Sequence, residues 1–130
     1  MGELLIDTTV LIDALRGREA AARLRRLRHT SRPPFVCVIN VEEIVRGVRS
    51  GEELAVMRLL DGCRLAPLGR AEGELAGAWR RSHASAGTTL SQADCLIAAA
   101  AVGVGAKLAT DNPRHFPMAE VAVEHWPAGV

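Results

Sequence analysis

Along this chain, short apolar runs alternate with longer stretches whose apolar positions recur every three or four residues. The first kind predicts buried strands and the second amphipathic helices. Leu4 to Ile6, Phe35 to Ile39, Cys63 to Leu68 and Lys107 to Thr110 read as strands, with Val121 to Val123 a fifth at an edge. Between them, Val10, Leu11, Ala14 and Leu15 fall at helical spacing, with Thr8 or Thr9 as a start and Gly17 as a stop. Helices are also predicted over Arg18 to His29, Asn40 to Val48, Glu52 to Leu60, Arg70 to Ala84 and Gln92 to Val102. In the fourth of these six, Leu54, Val56, Met57 and Leu60 form the stripe expected to face the core. Ser31-Arg32-Pro33-Pro34, Ser50-Gly51 and Ala86-Gly87 supply the breaks. Strands that alternate with helices predict an α/β fold, with a mostly parallel sheet of four to five strands covered on both faces. The 130 residues fit one domain, 1–130.

Composition changes this picture little. The chain is 48% hydrophobic and 24% charged, ordinary for a soluble protein, and its net charge of +1 makes no case for nucleic acid. Lys107 is the lone lysine among many arginines. Arginine suits phosphate, but a GC-rich genome gives the same bias. The helix from Arg18 sets Ala21, Leu24 and Leu27 against Arg23, Arg25, Arg26 and Arg28, a solvated basic face or a contact for RNA or protein. Cys37, Cys63 and Cys95 lie far apart in apolar surroundings and read as reduced core residues. With no basic-then-apolar leader, and with Cys95 to Ala106 too short to span a bilayer, a cytoplasmic protein free of membrane is expected.

Four carboxylates stand out by position. Asp7 ends the first strand, where an open α/β sheet borders its ligand crevice. Glu43 and Asp94 lie in early helical turns, and Asp111 follows the fourth strand. Each has a local explanation: Asp7 as an N-cap, Asn40 and Glu43 as a capping pair, Ser91 and Asp94 as a capping box. Four together are harder to excuse, because clustered carboxylates repel unless a cation is present. Magnesium or manganese relieves this with oxygen ligands. The scattered His29, His83, His115 and His125 and the spaced cysteines offer no softer site. Thr8 and Thr110 carry hydroxyls suited to bonding such carboxylates. Asp13, farther along the first helix, reads as a surface charge. Trp79 shares an apolar face with Leu75 and Ala78 and reads as core.

Taken in order, these stretches resemble the motifs of PIN-domain ribonucleases, and particularly of the VapC toxins. Leu4-Leu5-Ile6-Asp7-Thr8-Thr9-Val10-Leu11-Ile12-Asp13 is similar to the first motif, and Val38 to Gly47 to the second, whose Glu stands four residues before a Gly and so selects Glu43 over Glu42. Leu90 to Ala99 resembles the third and Leu108 to Pro117 the fourth. In the fourth motif the family places Asp or Asn at either position after the Thr. Asp111 is assigned because a carboxylate binds a cation better than an amide, and Asn112 is left to orient water. The resemblance implies a three-layer α/β/α sandwich and endonucleolytic cleavage of RNA. One or two Mg2+ ions, or Mn2+, would be held by Asp7, Glu43, Asp94 and Asp111, with Thr8, Thr110 and Asn112 in support. It also implies a homodimer and a small VapB-type antitoxin. Apolar excess in Leu54 to Leu60 and in the Ala-rich helix after Asp94 agrees with association. Two other readings exist: a catalytically silent PIN-like module that binds RNA or protein, and a phosphatase of the haloacid dehalogenase type. The second needs a cation beside the phosphate, and Lys107 lies within a predicted strand.

Overall fold

The computed structural model describes residues 2–30 and 32–129, so Ser31 of the predicted break lies outside it. Five strands form one sheet: β1 (Glu3–Ile6), β2 (Phe35–Val36), β3 (Arg64–Leu65), β4 (Ala106–Thr110) and β5 (Val123–His125). Their order is β3-β2-β1-β4-β5, and every neighbouring pair is parallel. The helices are α1 (Thr8–Leu15), α2 (Glu19–Arg28), α3 (Val38–Arg46), α4 (Glu53–Asp61), α5 (Arg70–Ser85) and α6 (Gln92–Gly103).

Alternation along the central strands divides the apolar residues between two layers. Leu5 and Leu108 pack with Trp79, Cys95, Ile97 and Ala98 beneath α5 and α6, whereas Ile6 and Ala109 pack with Val10, Leu11, Leu24, Ile44 and Leu59 on the opposite face. The result is the three-layer α/β/α sandwich. In α6, Ala98 to Ala101 are fully buried, and their small side chains let the helix lie close on the sheet. Trp79 is core as expected, its indole N–H donating to Glu120 at 2.7 Å.

Four expectations need correcting. The second strand stops at Val36, because α3 begins at Val38 with Cys37 as N-cap. Asn40 therefore opens no helix. It is the third residue of α3, fully buried, and its Oδ1 accepts the Cys37 N–H at 2.8 Å. On α4 the stripe facing the core is Val56 and Leu59, while Leu54 and Met57 are 61% and 53% exposed. The alanines of α6 are spent inside the chain and offer no surface for association.

Asp13 is the fourth correction. It is only 4% exposed: its Oδ1 accepts from Arg18 at 2.7 Å and its Oδ2 from the Gly129 N–H at 3.1 Å. Gly17, at φ +70°, supplies the left-handed turn that lets the chain double back from α1 and bring Arg18 to Asp13. Arg18 is half exposed, so most of the benefit comes from satisfying a buried carboxylate rather than from the ion pair. Replacement Asp13→Ala is expected to lower unfolding stability by about 1–3 kcal/mol in urea titration, the cost of orphaning the Gly129 donor and losing a charged bond. An unchanged midpoint would return Asp13 to the class of surface charges.

Candidate active site

The strand order reverses at β1. The chain moves outward from β1 through β2 to β3, then returns to lay β4 against the other side of β1. A crevice opens at the carboxyl ends of strands that diverge in this way. Asp7 follows β1 and Asp111 follows β4, with the Asp7 N–H bonded to the Ala109 carbonyl at 2.9 Å.

Asp7 occupies the N-cap position of α1, but its side chain makes no cap hydrogen bond. Instead, Oδ2 accepts from Thr110 Oγ1 at 2.7 Å and from Thr9 Oγ1 at 3.1 Å. Each hydroxyl is itself oriented by a backbone amide: Asn112 N–H donates to Thr110 and Asp111 N–H to Thr9, at 3.0 and 3.3 Å. With a lone pair so occupied, the single proton of each hydroxyl is left for the carboxylate. Burial still dominates, and pushes the Asp7 carboxyl above its ordinary 3.8. The bonds from Thr110, Thr9 and the Thr8 amide oppose that rise, and the negative charge of Asp94 adds to it.

Glu43 reaches the same crevice from α3. Its Oε1 accepts from Thr8 Oγ1 at 2.6 Å, and Thr8 in turn accepts from Asn40 Nδ2 at 3.0 Å. Asn40 thus fastens its own helix start with one end and aims Thr8 at Glu43 with the other. Glu43 has no capping role here, and Glu42 is exposed beside Arg46 at 3.6 Å. The charges of Glu43 and Asp7 both reach Cys37, and with burial, the larger cause, they push its thiol up.

Asp94 is the third residue of α6, where Ser91 Oγ accepts its N–H at 3.0 Å. Its carboxylate is turned to His115, whose Nδ1 lies 3.5 Å away on the short 3-10 turn Pro113–His115. Asp111 is placed differently. Its backbone joins the network through Thr9, but its Oδ1 accepts the Ala128 N–H at 2.6 Å and lies 4.0 Å from His125 Nε2. The fold therefore sets Asp94 close enough to act on Asp7 and ties Glu43 to Thr8 at the start of α1, while the Asp111 carboxylate is held by the C-terminal segment. Asn112 enters the network through its backbone amide.

Thr9, Asn40, His115 and His125 were not singled out from sequence as members of the site. Asn40 carried a signal, a polar residue inside Val38-Ile39-Asn40-Val41, but its capping spacing with Glu43 explained it too cheaply. Nothing local marks Thr9 over Thr8, since the two face different partners only after β4 and α3 have docked.

Among the described residues, no three His, Cys, Asp or Glu side chains form a ready-made metal cage. The donors nevertheless suit a hard divalent cation. They are oxygens, and Asp7 is 5% exposed with hydroxyl partners, no ion pair among the described residues, and a repelling Asp94. Magnesium is commonly held by one or two carboxylates, with waters and substrate phosphate completing its shell, so a full protein cage is not required.

A family profile described as PIN domain matches residues 4–123. The chain is 36% identical over 121 residues to a protein named Ribonuclease VapC10 from Mycobacterium tuberculosis, covering 90% of this chain and 88% of that protein. It is also 36% identical over 119 residues to Ribonuclease VapC19 of the same organism, covering 88% and 92%. In fold it is similar to a chain of DNA-bound VapBC from Salmonella typhimurium, with a TM-score of 0.80, 23% identity and coverage of 97% and 99%.

The raised carboxyl of Asp7 has a testable sign. Because the folded state holds this proton more tightly than the unfolded chain, ionising Asp7 costs stability. The cost is absent below about pH 3.8, grows as pH rises toward the folded value, and is constant above it. Asp7→Asn is therefore expected to melt higher than the parent at pH 7 in metal-free buffer, with the gap closing as pH falls toward 3.8. A variant that melts lower by the same margin at both pH values would show that Asp7 serves the fold as a hydrogen-bond acceptor alone.

Proposed function

This chain belongs to the PIN-domain family, and from that premise we propose that it is a magnesium-dependent endoribonuclease, the toxin of a VapBC-type toxin–antitoxin pair, acting in the cytoplasm. The observation that carries the reading is the buried Asp7 carboxylate, held by two threonines at the strand-order reversal within reach of the Asp94 charge. Asp7 and Asp94 would hold Mg2+, with Mn2+ as substitute, and Glu43 completes the acidic face. When bound, the ion would supply charge neutralisation at the phosphate and activation of the attacking water.

The remaining chemistry belongs to the chain. Thr110 and Thr9 fix the Asp7 carboxylate in one orientation, so it need not reorganise when an ion arrives. Thr8, steered by Asn40, does the same for Glu43, which would orient or deprotonate water. Asp111 and Asn112 act mainly through their amides, which set the two threonine hydroxyls. His115, whose Nδ1 lies 3.5 Å from the Asp94 carboxylate, would have to swing away or share it when phosphate enters.

The haloacid dehalogenase reading loses its cation, since Lys107 sits in the amino-terminal half of β4, away from the strand ends that carry Asp7. A silent PIN-like module remains the reading that catalysis must defeat. Residues 1–130 are taken as one domain, because both apolar layers share a single sheet. Exposed Ile12, Val45, Leu54 and Met57 on α1, α3 and α4 give apolar surface for a second copy and for the antitoxin.

Two outcomes are expected. RNA cleavage should require Mg2+ or Mn2+ and stop in EDTA, and Asp7→Asn, Glu43→Gln and Asp94→Asn should each lower the rate by about 100-fold or more. Asp111→Asn should fall less, because its carboxylate is already spent on Ala128. Cutting at the parental rate by Asp7→Asn, or undiminished cutting in EDTA, would end the proposal. Light scattering should give twice the 13.9 kDa chain mass, and Leu54→Asp/Met57→Asp should shift it toward the single chain. A single-chain mass for the parent at micromolar concentration would remove the homodimer.

A further inference from the structure

On the face of the sheet that carries Ile6 and Ala109, helical cover is incomplete beyond α2. There a cleft of about 520 Å³ lies between α2 and the amino-terminal halves of β1 and β4, with β5 as its far wall. Arg23 and Arg26 enter it from α2 and Lys107 from β4. Its two carboxylates are already engaged. Glu3 is bonded by Arg64 and lies 3.7 Å from Arg32, and Glu124 accepts the Trp126 indole N–H at 2.6 Å. The side chains of Arg26 and Lys107 are exposed and have no hydrogen bond or ion pair among the described residues. Arg23 lies flat on Trp126, its guanidinium carbon 3.7 Å from the ring centroid. Trp126 is itself buried, so it serves to hold Arg23 against the cleft wall rather than to receive a base.

Three cations therefore converge on a concave surface where Glu3 is paired with arginine outside the cleft and Glu124 is bonded to an indole, which leaves an excess of positive charge suited to an anion. The cleft also borders the strands whose far ends carry the acidic residues. Arg23 and Trp126 line a second small depression with Glu19 and Pro127, and the Trp126 backbone N–H bonds the carbonyl of Thr110, whose hydroxyl donates to Asp7, at 2.8 Å. Leu4, in the cleft, precedes Asp7 by three residues of β1, a span of about 10 Å.

We propose that this cleft binds backbone phosphates of a single-stranded RNA substrate beyond the point of cleavage, with Arg26 and Lys107 as the phosphate contacts and Arg23 as a stacking or bidentate one. The inference rests on the ribonuclease reading for its ligand but not for its test. Binding is measured in EDTA, where no cleavage occurs, by fluorescence anisotropy of a labelled oligoribonucleotide across a salt series. The Arg26→Gln/Lys107→Gln chain is compared with Arg70→Gln/Arg81→Gln, which removes the same charge from α5 on the opposite layer. The cleft variant should bind on the order of tenfold more weakly, and its log–log salt slope should flatten by about 1.4, the value for two single-strand phosphate contacts. The α5 variant should track the parent. In cleavage, the cleft variant should raise KM for a long RNA and leave kcat in place. Equal losses in both variants, or an unchanged slope in the cleft variant, would overturn the proposal, as would full displacement of the oligonucleotide by equimolar nucleoside monophosphate. If the parent cuts no RNA while binding and slope respond as stated, the cleft inference stands and the nuclease reading fails.

Discussion

A buried carboxylate bonded by neutral hydroxyls is the constraint on which this structure turns. Asp7 ends the central strand in a place that strips it of water, and two threonine hydroxyls partly compensate. Those hydroxyls come from opposite directions, Thr9 from the helix after β1 and Thr110 from the end of β4. Each is set by an amide from the turn after β4. The arrangement can exist only if β1 and β4 are adjacent, parallel and in register, as they are from Glu3 opposite Ala106 to Ile6 opposite Ala109. Sheet register and site geometry are thus one fact seen at two scales.

A second chain of bonds ties the flanking layer to the same point. The Cys37 amide, Asn40, Thr8 and Glu43 form an unbroken series that joins the start of α3 to the start of α1. Neutral groups arranged this way polarise one another and hold a charged terminus in place. The site is consequently firm on the Asp7 and Glu43 side and looser on the Asp94 and Asp111 side. There the partners are a half-exposed histidine and the backbone of the C-terminal segment. That asymmetry suits a centre whose proposed ion and substrate phosphate arrive together, since the loose side can adjust while the firm side holds the charge.

The two ends of the sheet divide the electrostatics. At the carboxyl ends of β1 and β4, Asp7 lies within reach of the Asp94 charge; toward the amino ends of the same strands, arginine and lysine line a cleft whose carboxylates are already bonded. A net charge of +1 conceals this separation completely. For a polyanionic ligand the separation matters more than the sum, because potential acts over about a Debye length, roughly 8–10 Å in ordinary salt.

Sequence by itself determined the alternation of strands and helices, the central strands and the positions of the four acids, because these follow from hydrophobic period and from turn residues that act over a few neighbours. It erred where a residue had a cheap local explanation. Asn40 has capping spacing with Glu43, yet the helix starts at Val38 and the Asn40 amide bonds Thr8. Asp13 looks like a charge on a helix surface, yet Arg18 and Gly129 close over it after Gly17 turns the chain back. Leu54 and Met57 have helical spacing, which names a stripe but not which layer covers it. Only tertiary structure could decide these, because each depends on partners far away in sequence: Thr8 and Glu43 are 35 residues apart, Asp7 and Thr110 are 103, and Asp13 and Gly129 are 116. Local pattern reveals which residues a fold can bury, and only docking of the elements decides which proton each buried oxygen receives.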